Sequence, residues 1–392
     1  MSDPLEERLA ARLHELRDAG LERTPPRIEA RAGVRYRLDG RDVVGFCSND
    51  YLGLASAREH DSDLGLADPG AGASRLITGD HEAHRAVEAR LAALAGAEDA
   101  VLFPSGYQLN VGVLPALIAE GDLVASDRLI HASLIDGLRL AASRPQILAH
   151  GVAPETPTAA RPCWWITESI FSMDGDRSDP AALRRHLAAG GLLYLDEAHA
   201  FGLFPGCTTL SNHLGVRPTV VVGALGKAIG CAGAFVAASA VVCRWLRSRC
   251  RAFVFSTGVS PLLARAIARQ LNRATSPEGD ARRERLWANA RRLAAHLGHP
   301  EPAAVPSPIF PVVLSDNHRT LAVSRSLLER GWHIQAIRPP TVPEGGARLR
   351  ITVTADHEPA MLDAMVADLR VALARIQPSV TLRVSAAPAG AA

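Results

Sequence analysis

From Asp99 onward, short apolar runs bounded by turn residues alternate with stretches whose apolar positions recur every three or four residues. The runs are Ala100–Phe103, Asp122–Ala125, Trp164–Thr167, Leu192–Leu195 and Val220–Ala224, and helical spacing marks Val111–Ile118, Ser133–Ala142 and Pro180–Ala188. Strands alternating with helices predict an α/β fold with a mostly parallel sheet covered on both faces. Before this region, Leu5, Leu9, Leu13 and Leu16 lie at helical spacing within Pro4–Arg17, which predicts an amphipathic helix that must dock on something. Arg35–Phe46 alternates around Asp39-Gly40, a hairpin signal, and residues 47–55, CSNDYLGLA, read as an ordered loop. A glycine-rich stretch, PGAGASRLITG at 69–79, precedes a helical pattern from His81 to Leu94 and can present backbone N–H groups to an anion. Helices are expected at Pro261–Ala274 and Asp280–His296. After them, strands at Ile309–Leu314, His333–Ile337 and Arg348–Val353 alternate with helices at Thr320–Arg330 and Pro359–Ile376. The pattern divides the chain into an N-terminal segment (1–45), a large domain (46–277), a small C-terminal α/β domain (278–378) and a frayed tail (379–392).

Composition narrows the class without naming a chemistry. The 392 residues are 47% hydrophobic and 21% charged, enough to bury a large core, and a net charge of +2 indicates neither nucleic acid nor an anionic membrane. The first twenty residues are too charged for a signal peptide, and the apolar stretch Ala228–Cys243 is short, interrupted by glycine and ended by Arg244, so it reads as core. The six cysteines form no Cys-x-x-Cys pair, which predicts a reduced, cytoplasmic protein without a structural zinc site.

Lysine occurs once, at Lys227, in VVVGALGKAIG; every other member of the 43 Lys+Arg is arginine. A primary amine deprotonates when desolvated and attacks carbonyls, which guanidinium cannot do. In a parallel sheet ligands bind at the carboxyl ends of the strands. There the pattern places Gly106 and Tyr107, Asp127 and His131, Glu168 and Ser172, Asp196 and His199, and Lys227. An aspartate to keep a pyridine nitrogen protonated and a lysine to hold an aldehyde are what pyridoxal 5′-phosphate requires. Gly106-Tyr107 suits a loop beneath the phosphate, and His131 suits stacking on the ring. Each residue also has a plain alternative: a surface lysine, a hydrogen-bonded core histidine, a turn-stabilising Asn49. Their coincidence at successive strand ends favours the site.

The stretches SNDYLGL, SGYQLN, DRLIHASLIDG, TESIFSMDGD, LDEAHAFG, GALGKAIG and FSTGVSP, in this order between about residues 45 and 360, resemble the α-oxoamine synthases. These are fold-type-I pyridoxal-phosphate transferases that condense an amino acid with an acyl thioester and lose CO2. The resemblance implies a mostly parallel seven-stranded sheet in the large domain. Residues 337–358, IRPPTVPEGGARLRITVTADHE, look most like members that join L-alanine to a pimeloyl thioester, carried by CoA or by acyl-carrier protein, in biotin biosynthesis. By matching positions, Lys227 would hold the cofactor, Asp196 would face its ring nitrogen, His199 its phenolic oxygen, and His131 its ring face. Gly106, Tyr107 and Ser172 would contact it, and Ser256 and Thr257 would reach the phosphate of a neighbouring subunit, implying a homodimer with shared sites. Asn49, Thr341, Arg350 and Arg23 would be substrate contacts, Arg350 suiting a carboxylate through its bidentate fork. The chain departs from the pattern at Ala224, where relatives carry a hydroxyl, at GAGAS, at Ala200 and at the end of FSTGVSP. Three other readings stay open: a sibling synthase using glycine or serine, a fold-type-I aminotransferase, and a non-catalytic scaffold subunit.

Overall fold

The computed structural model describes residues 3–56, 68–155 and 162–376, so the tail expected beyond residue 378 lies outside the described residues. The chain divides into two compact units. The small unit holds the N-terminal residues to Ser48, Met173–Gly175 and the chain from Arg285; the large unit holds Asn49–Ser172 and Asp176–Glu284.

In the small unit, helix α1 (Pro4–Asp18) starts at an Asp3 cap that accepts the Leu5 N–H at 2.8 Å. None of its residues is buried, so Leu5, Leu9, Leu13 and Leu16 form the apolar face that the spacing implies and leave it exposed. Strands β1 (Ile28–Ala32), β2 (Arg35–Leu38) and β3 (Arg41–Gly45) follow as an antiparallel meander. The β2–β3 turn has φ 46° at Asp39 and 79° at Gly40, both left-handed as a tight two-residue hairpin demands.

The large unit runs α2 (Glu82–Ala95), β4 (Asp99–Phe103), α3 (Gly106–Leu117), β5 (Leu123–Asp127), α4 (Ala132–Leu140), β6 (Gln146–Leu148) and β7 (Cys163–Glu168). It continues with α5 (Pro180–Ala188), β8 (Leu192–Asp196), α6 (Leu210–His213), β9 (Val220–Ala224), β10 (Ala234–Ala238), α7 (Ala240–Arg249), α8 (Arg251–Val254) and α9 (Pro261–Ala274). Its seven strands lie in the order β4-β10-β9-β8-β7-β5-β6, and β10 alone runs against the rest. The strands alternate between two cores. Trp164, Ile166 and Tyr194 join a cluster with Leu109, Val113 and Leu134, whereas Trp165, Leu193 and Leu195 pack with Leu183 and Val216. A sheet buried on both faces needs this continuous apolarity, which explains why its strands read as unbroken runs. Within the apolar stretch Ala228–Cys243, the return strand β10 is fully buried.

None of the glycine-rich stretch lines the cavity at the carboxyl ends of the strands. Its Arg75 is buried against Glu88 and Asp80, and its backbone pairs with the 257–258 segment through the Ser74–Thr257 bridge and Gly258 N–H to Ala73 C=O at 2.9 Å. A second ion cluster ties the end of β5 to two loops: His150 Nδ1 lies 3.0 Å from Asp127 Oδ2 and its Nε2 2.8 Å from Asp176 Oδ2. The two carboxylates outweigh the cost of burial and push His150 up to about 10. A folded-state value above the unfolded one near 6.5 gives stability that is complete below pH 6.5 and lost as pH rises through 10. We expect wild type to exceed His150→Gln by about 2–4 kcal/mol in urea unfolding at pH 6, with the gap closing steadily towards pH 10. A gap independent of pH would rule out the charged clamp.

The chain returns to the small unit along α10 (Pro277–His296), followed by β11 (Ile309–Ser315), α11 (Asn317–Glu329), β12 (Trp332–His333), β13 (Gln335–Ile337), β14 (Ala347–Thr352) and α12 (Pro359–Ile376). The single strand expected at His333–Ile337 is broken in two. Trp332–His333 pairs in parallel with β3, while Gln335–Ile337 pairs with β14 in a three-stranded antiparallel sheet, β11-β14-β13. Buried Ile334 sits at the break; the alternation is the same on both sides of it, so sequence gives no sign that one run serves two sheets. Among the described residues, no helix is long and apolar enough to cross a membrane.

Candidate active site

At the carboxyl ends of β4, β5, β7, β8 and β9 the large unit encloses a cavity of ≈ 400 Å³. Seven of the residues expected from sequence line it: Asn49, Gly106, Tyr107, His131, Asp196, His199 and Lys227. Each is set by the element before it. Asp196 is the last residue of β8, in register with Glu168 at the end of β7. Lys227 lies in the nine-residue loop joining antiparallel β9 and β10, closed by Leu225 N–H to Gly233 C=O and Cys231 N–H to Leu225 C=O, both 2.9 Å. Gly230 makes that loop possible. Its φ is +70°, and a Cβ there would stand 2.3 Å from the Ala55 nitrogen.

Asp196 is held from two sides: Oδ1 accepts the Ala198 N–H and Oδ2 accepts Asn110 Nδ2, each at 2.9 Å. Asn110, on α3, was not singled out from sequence, although it closes the SGYQLN stretch. It is buried, donates its second amide hydrogen to Ser133 Oγ at 2.9 Å, and accepts from Tyr194 OH at 2.7 Å. His131 caps α4; its Nδ1 lies 2.8 Å from Ser133 Oγ and accepts the Ser133 N–H at 3.2 Å. The protein packed around the ring, and Lys227, lower the His131 pKa, while Asp196 pulls it the other way. His199 is fixed by Tyr51, whose hydroxyl lies 2.7 Å from Nδ1 and also donates to Asn49 Oδ1 at 3.3 Å.

Glu168 also lines the cavity, and its Oε1 accepts the His131 N–H at 2.6 Å. Burial, aided by the neighbouring Asp196 charge, holds its carboxyl well above the usual range. Spacing alone placed Glu168 at a strand end; its partnership with the His131 backbone depends on the parallel pairing of β5 and β7, which no local pattern carries.

The first turn of α3 is the natural anion seat. Ser105 Oγ accepts the Gln108 N–H, but among the described residues nothing accepts from the N–H groups of Gly106 and Tyr107, two residues of the cavity lining. A Cβ on Gly106 would meet only Ala234, at 4.0 Å, so the approach is open. Ala224 lines the wall without a hydroxyl. The remaining expected residues are not in the lining. Buried Ser172 lies in the loop after β7; Ser256 accepts from Gln108 Nε2 at 3.3 Å, and Thr257 bridges to Ser74. Arg23, Thr341 and Arg350 belong to the small unit. There Arg23 Nη2 donates to Thr341 Oγ1 at 3.0 Å, and Arg350 is buried on β14.

An amine, a carboxylate held by an amide, two histidines and open helix N–H groups converge on one cavity, the donor set that an aldehyde-bearing pyridine phosphate fits. The profile of the family described as aminotransferase class I and II matches residues 41–369. An 8-amino-7-oxononanoate synthase of Anaeromyxobacter dehalogenans is 42% identical over 95% of this chain and 96% of its own length. One from Herminiimonas arsenicoxydans is 38% identical over 94% and 100%. Among solved structures, Sphingomonas wittichii serine palmitoyltransferase superposes with TM-score 0.83 at 25% identity, covering 96% of this chain and 99% of that one. The Francisella tularensis 8-amino-7-oxononanoate synthase shares the fold at TM-score 0.70 and 21% identity, covering 85% and 98%. The chain belongs to the class I and II aminotransferase family, in the α-oxoamine synthase branch.

Proposed function

We propose that this chain uses pyridoxal 5′-phosphate to condense L-alanine with a pimeloyl thioester, giving 8-amino-7-oxononanoate, CO2 and the free thiol, as a cytoplasmic homodimer in biotin biosynthesis. The observation that carries the reading is the convergence of Lys227, Asp196, His131 and His199 on one cavity, in a chain 42% identical to a named oxononanoate synthase along nearly its whole length. When bound, the cofactor supplies a protonated ring that accepts electrons from the amino acid's Cα. The chain's residues do the rest. Lys227, the chain's one primary amine on a side chain, would hold the cofactor's aldehyde carbon, and its free amine would remove the Cα proton of alanine. Asp196 would keep the ring nitrogen protonated, His199 would orient the phenolic oxygen, and the N–H groups of Gly106 and Tyr107 would hold the phosphate. His131 hydrogen-bonds the carbonyl oxygen that gathers charge as the thioester is attacked.

Ser172 completes the cofactor shell in this reading, and Asn49, Thr341 and Arg350 contact substrate, Arg350 through the amino-acid carboxylate. Arg23 meets the acyl chain. The homodimer reading draws support from the surface of the large unit, where the Ser74–Thr257 bridge joins two segments bearing exposed Leu76, Ile77 and Phe255. An apolar patch of this kind suits a subunit interface, with Ser256 and Thr257 carried to the partner's phosphate.

The test supplies L-alanine, glycine or L-serine, each with pimeloyl-CoA, pimeloyl-acyl-carrier protein or palmitoyl-CoA, and measures CO2 and product mass. We expect product only from L-alanine with a pimeloyl thioester. Product from glycine or serine with another acyl group would keep the branch and overturn the substrate; transamination without CO2 would overturn the condensation.

A further inference from the structure

The hydrogen bonds beneath the cavity form one continuous chain, and its directions can be worked out from donor capacity. Tyr194 donates to Asn110 Oδ1 at 2.7 Å, so the amide oxygen is committed and both amide hydrogens face the other way. They go to Asp196 Oδ2 and Ser133 Oγ, each at 2.9 Å. The opposite amide rotamer would set an oxygen against the Asp196 carboxylate. Ser133 Oγ, having received a hydrogen from Asn110, has its own hydroxyl hydrogen left for His131 Nδ1 at 2.8 Å, where the Ser133 backbone N–H also points at 3.2 Å. Two donors aimed at Nδ1 leave that nitrogen as an acceptor and put the ring proton on Nε2. Asn110, Ser133 and Tyr194 are all buried, so no solvent competes for these bonds.

We infer that Asn110 is a positioning residue that couples Asp196 to His131, fixing the carboxylate beneath the ring nitrogen and, through Ser133, holding His131 neutral with its proton on Nε2. The consequence for the reaction, which rests on the function proposed above, is that the ring nitrogen presented to the cavity is always a donor. A developing oxyanion needs a donor, and the wrong tautomer would offer it a lone pair. One amide thus serves both ends of the site: the carboxylate that keeps the ring an electron acceptor and the imidazole that meets the acyl oxygen.

The test reads the tautomer directly in protein free of cofactor. Histidine labelled with 15N is followed by long-range proton–nitrogen correlation at pH 7.5, the His131 signals being identified by their loss in His131→Gln. We expect wild type to show neutral His131 protonated on Nε2. Asn110→Leu, similar in size, should average the two tautomers and weaken cofactor binding by about tenfold or more, since a bond to a carboxylate is lost. Ser133→Ala should disturb the tautomer while leaving cofactor affinity within about threefold, because Asp196 keeps its amide partner. If Asn110→Leu does not fold, Ser133→Ala and Tyr194→Phe carry the test, the latter by freeing the amide to turn. A merely structural role would lower the melting temperature and leave the tautomer unmoved. Wild-type His131 protonated on Nδ1, or a tautomer unchanged in every variant, would overturn the inference. Because the readout needs no turnover, it stands apart from any failure of the proposed reaction.

Discussion

Replacing Lys227 with alanine is expected to lower turnover by about 10³-fold or more, since the change removes both the nucleophile that holds the cofactor and the base that takes the Cα proton. The expectation is unusually clean here because the chain has no other lysine. Arginine side chains cannot substitute, as their guanidinium groups stay protonated and non-nucleophilic. Borohydride trapping followed by mass spectrometry should therefore find the cofactor on a single peptide, the one spanning Gly226–Gly230, and find none in Lys227→Ala. The fold should survive, because the loop is closed by backbone bonds from Leu225 and Cys231 and by Gly230, not by the lysine side chain. Product formation at more than a tenth of the wild-type rate by Lys227→Ala would show that another group performs the chemistry.

The sheet is legible in the sequence because its two-faced burial forces unbroken apolar runs, and the strand ends are legible where polarity returns abruptly, at Glu168 and Asp196. The site's principal groups inherit that clarity. What local pattern could not carry was pairing. The break at Ile334 divides one run between two sheets, and neither half differs in alternation from the other. Asn110 and Tyr194 were hidden for a related reason: both sit among apolar neighbours on a helix and a strand, where a polar residue at a core position has no meaning until its partner is known. The glycine-rich stretch shows the same limit: its glycines are plain in the sequence, but the burial of its Arg75 against Glu88 and Asp80 is not. For α1 the period was right, and the leucine face it implies remains exposed.

Asp196→Asn is the second change expected to have a large effect, about 10²- to 10³-fold on kcat, because it deletes the fixed charge that keeps the ring nitrogen protonated while barely altering shape. Any rearrangement that absorbs the substitution disturbs the neighbouring bonds. Both carboxylate oxygens now accept, one from the Ala198 N–H and one from Asn110 Nδ2, so the amide of an asparagine would set its own N–H hydrogens against one of those donors. Asn110 could turn its oxygen to the new amide only by drawing the Ser133 hydroxyl hydrogen away from His131 Nδ1 and making the Tyr194 hydroxyl an acceptor. Nor is the neighbouring carboxylate a substitute: Glu168 is held by the His131 N–H, and burial together with the Asp196 charge holds its carboxyl well above the usual range. With the Asp196 charge gone, Glu168 should titrate nearer its ordinary value, and His131, which that charge now supports, should fall further. Steady-state kinetics with L-alanine and pimeloyl-CoA would measure the loss, and carbon-13 titration of the glutamate carboxyls would measure the shift of Glu168. A kcat within threefold of wild type would show that Asp196 does not govern the ring nitrogen. A large loss with Glu168 unmoved would instead separate the catalytic role of the charge from its influence on the neighbouring acid.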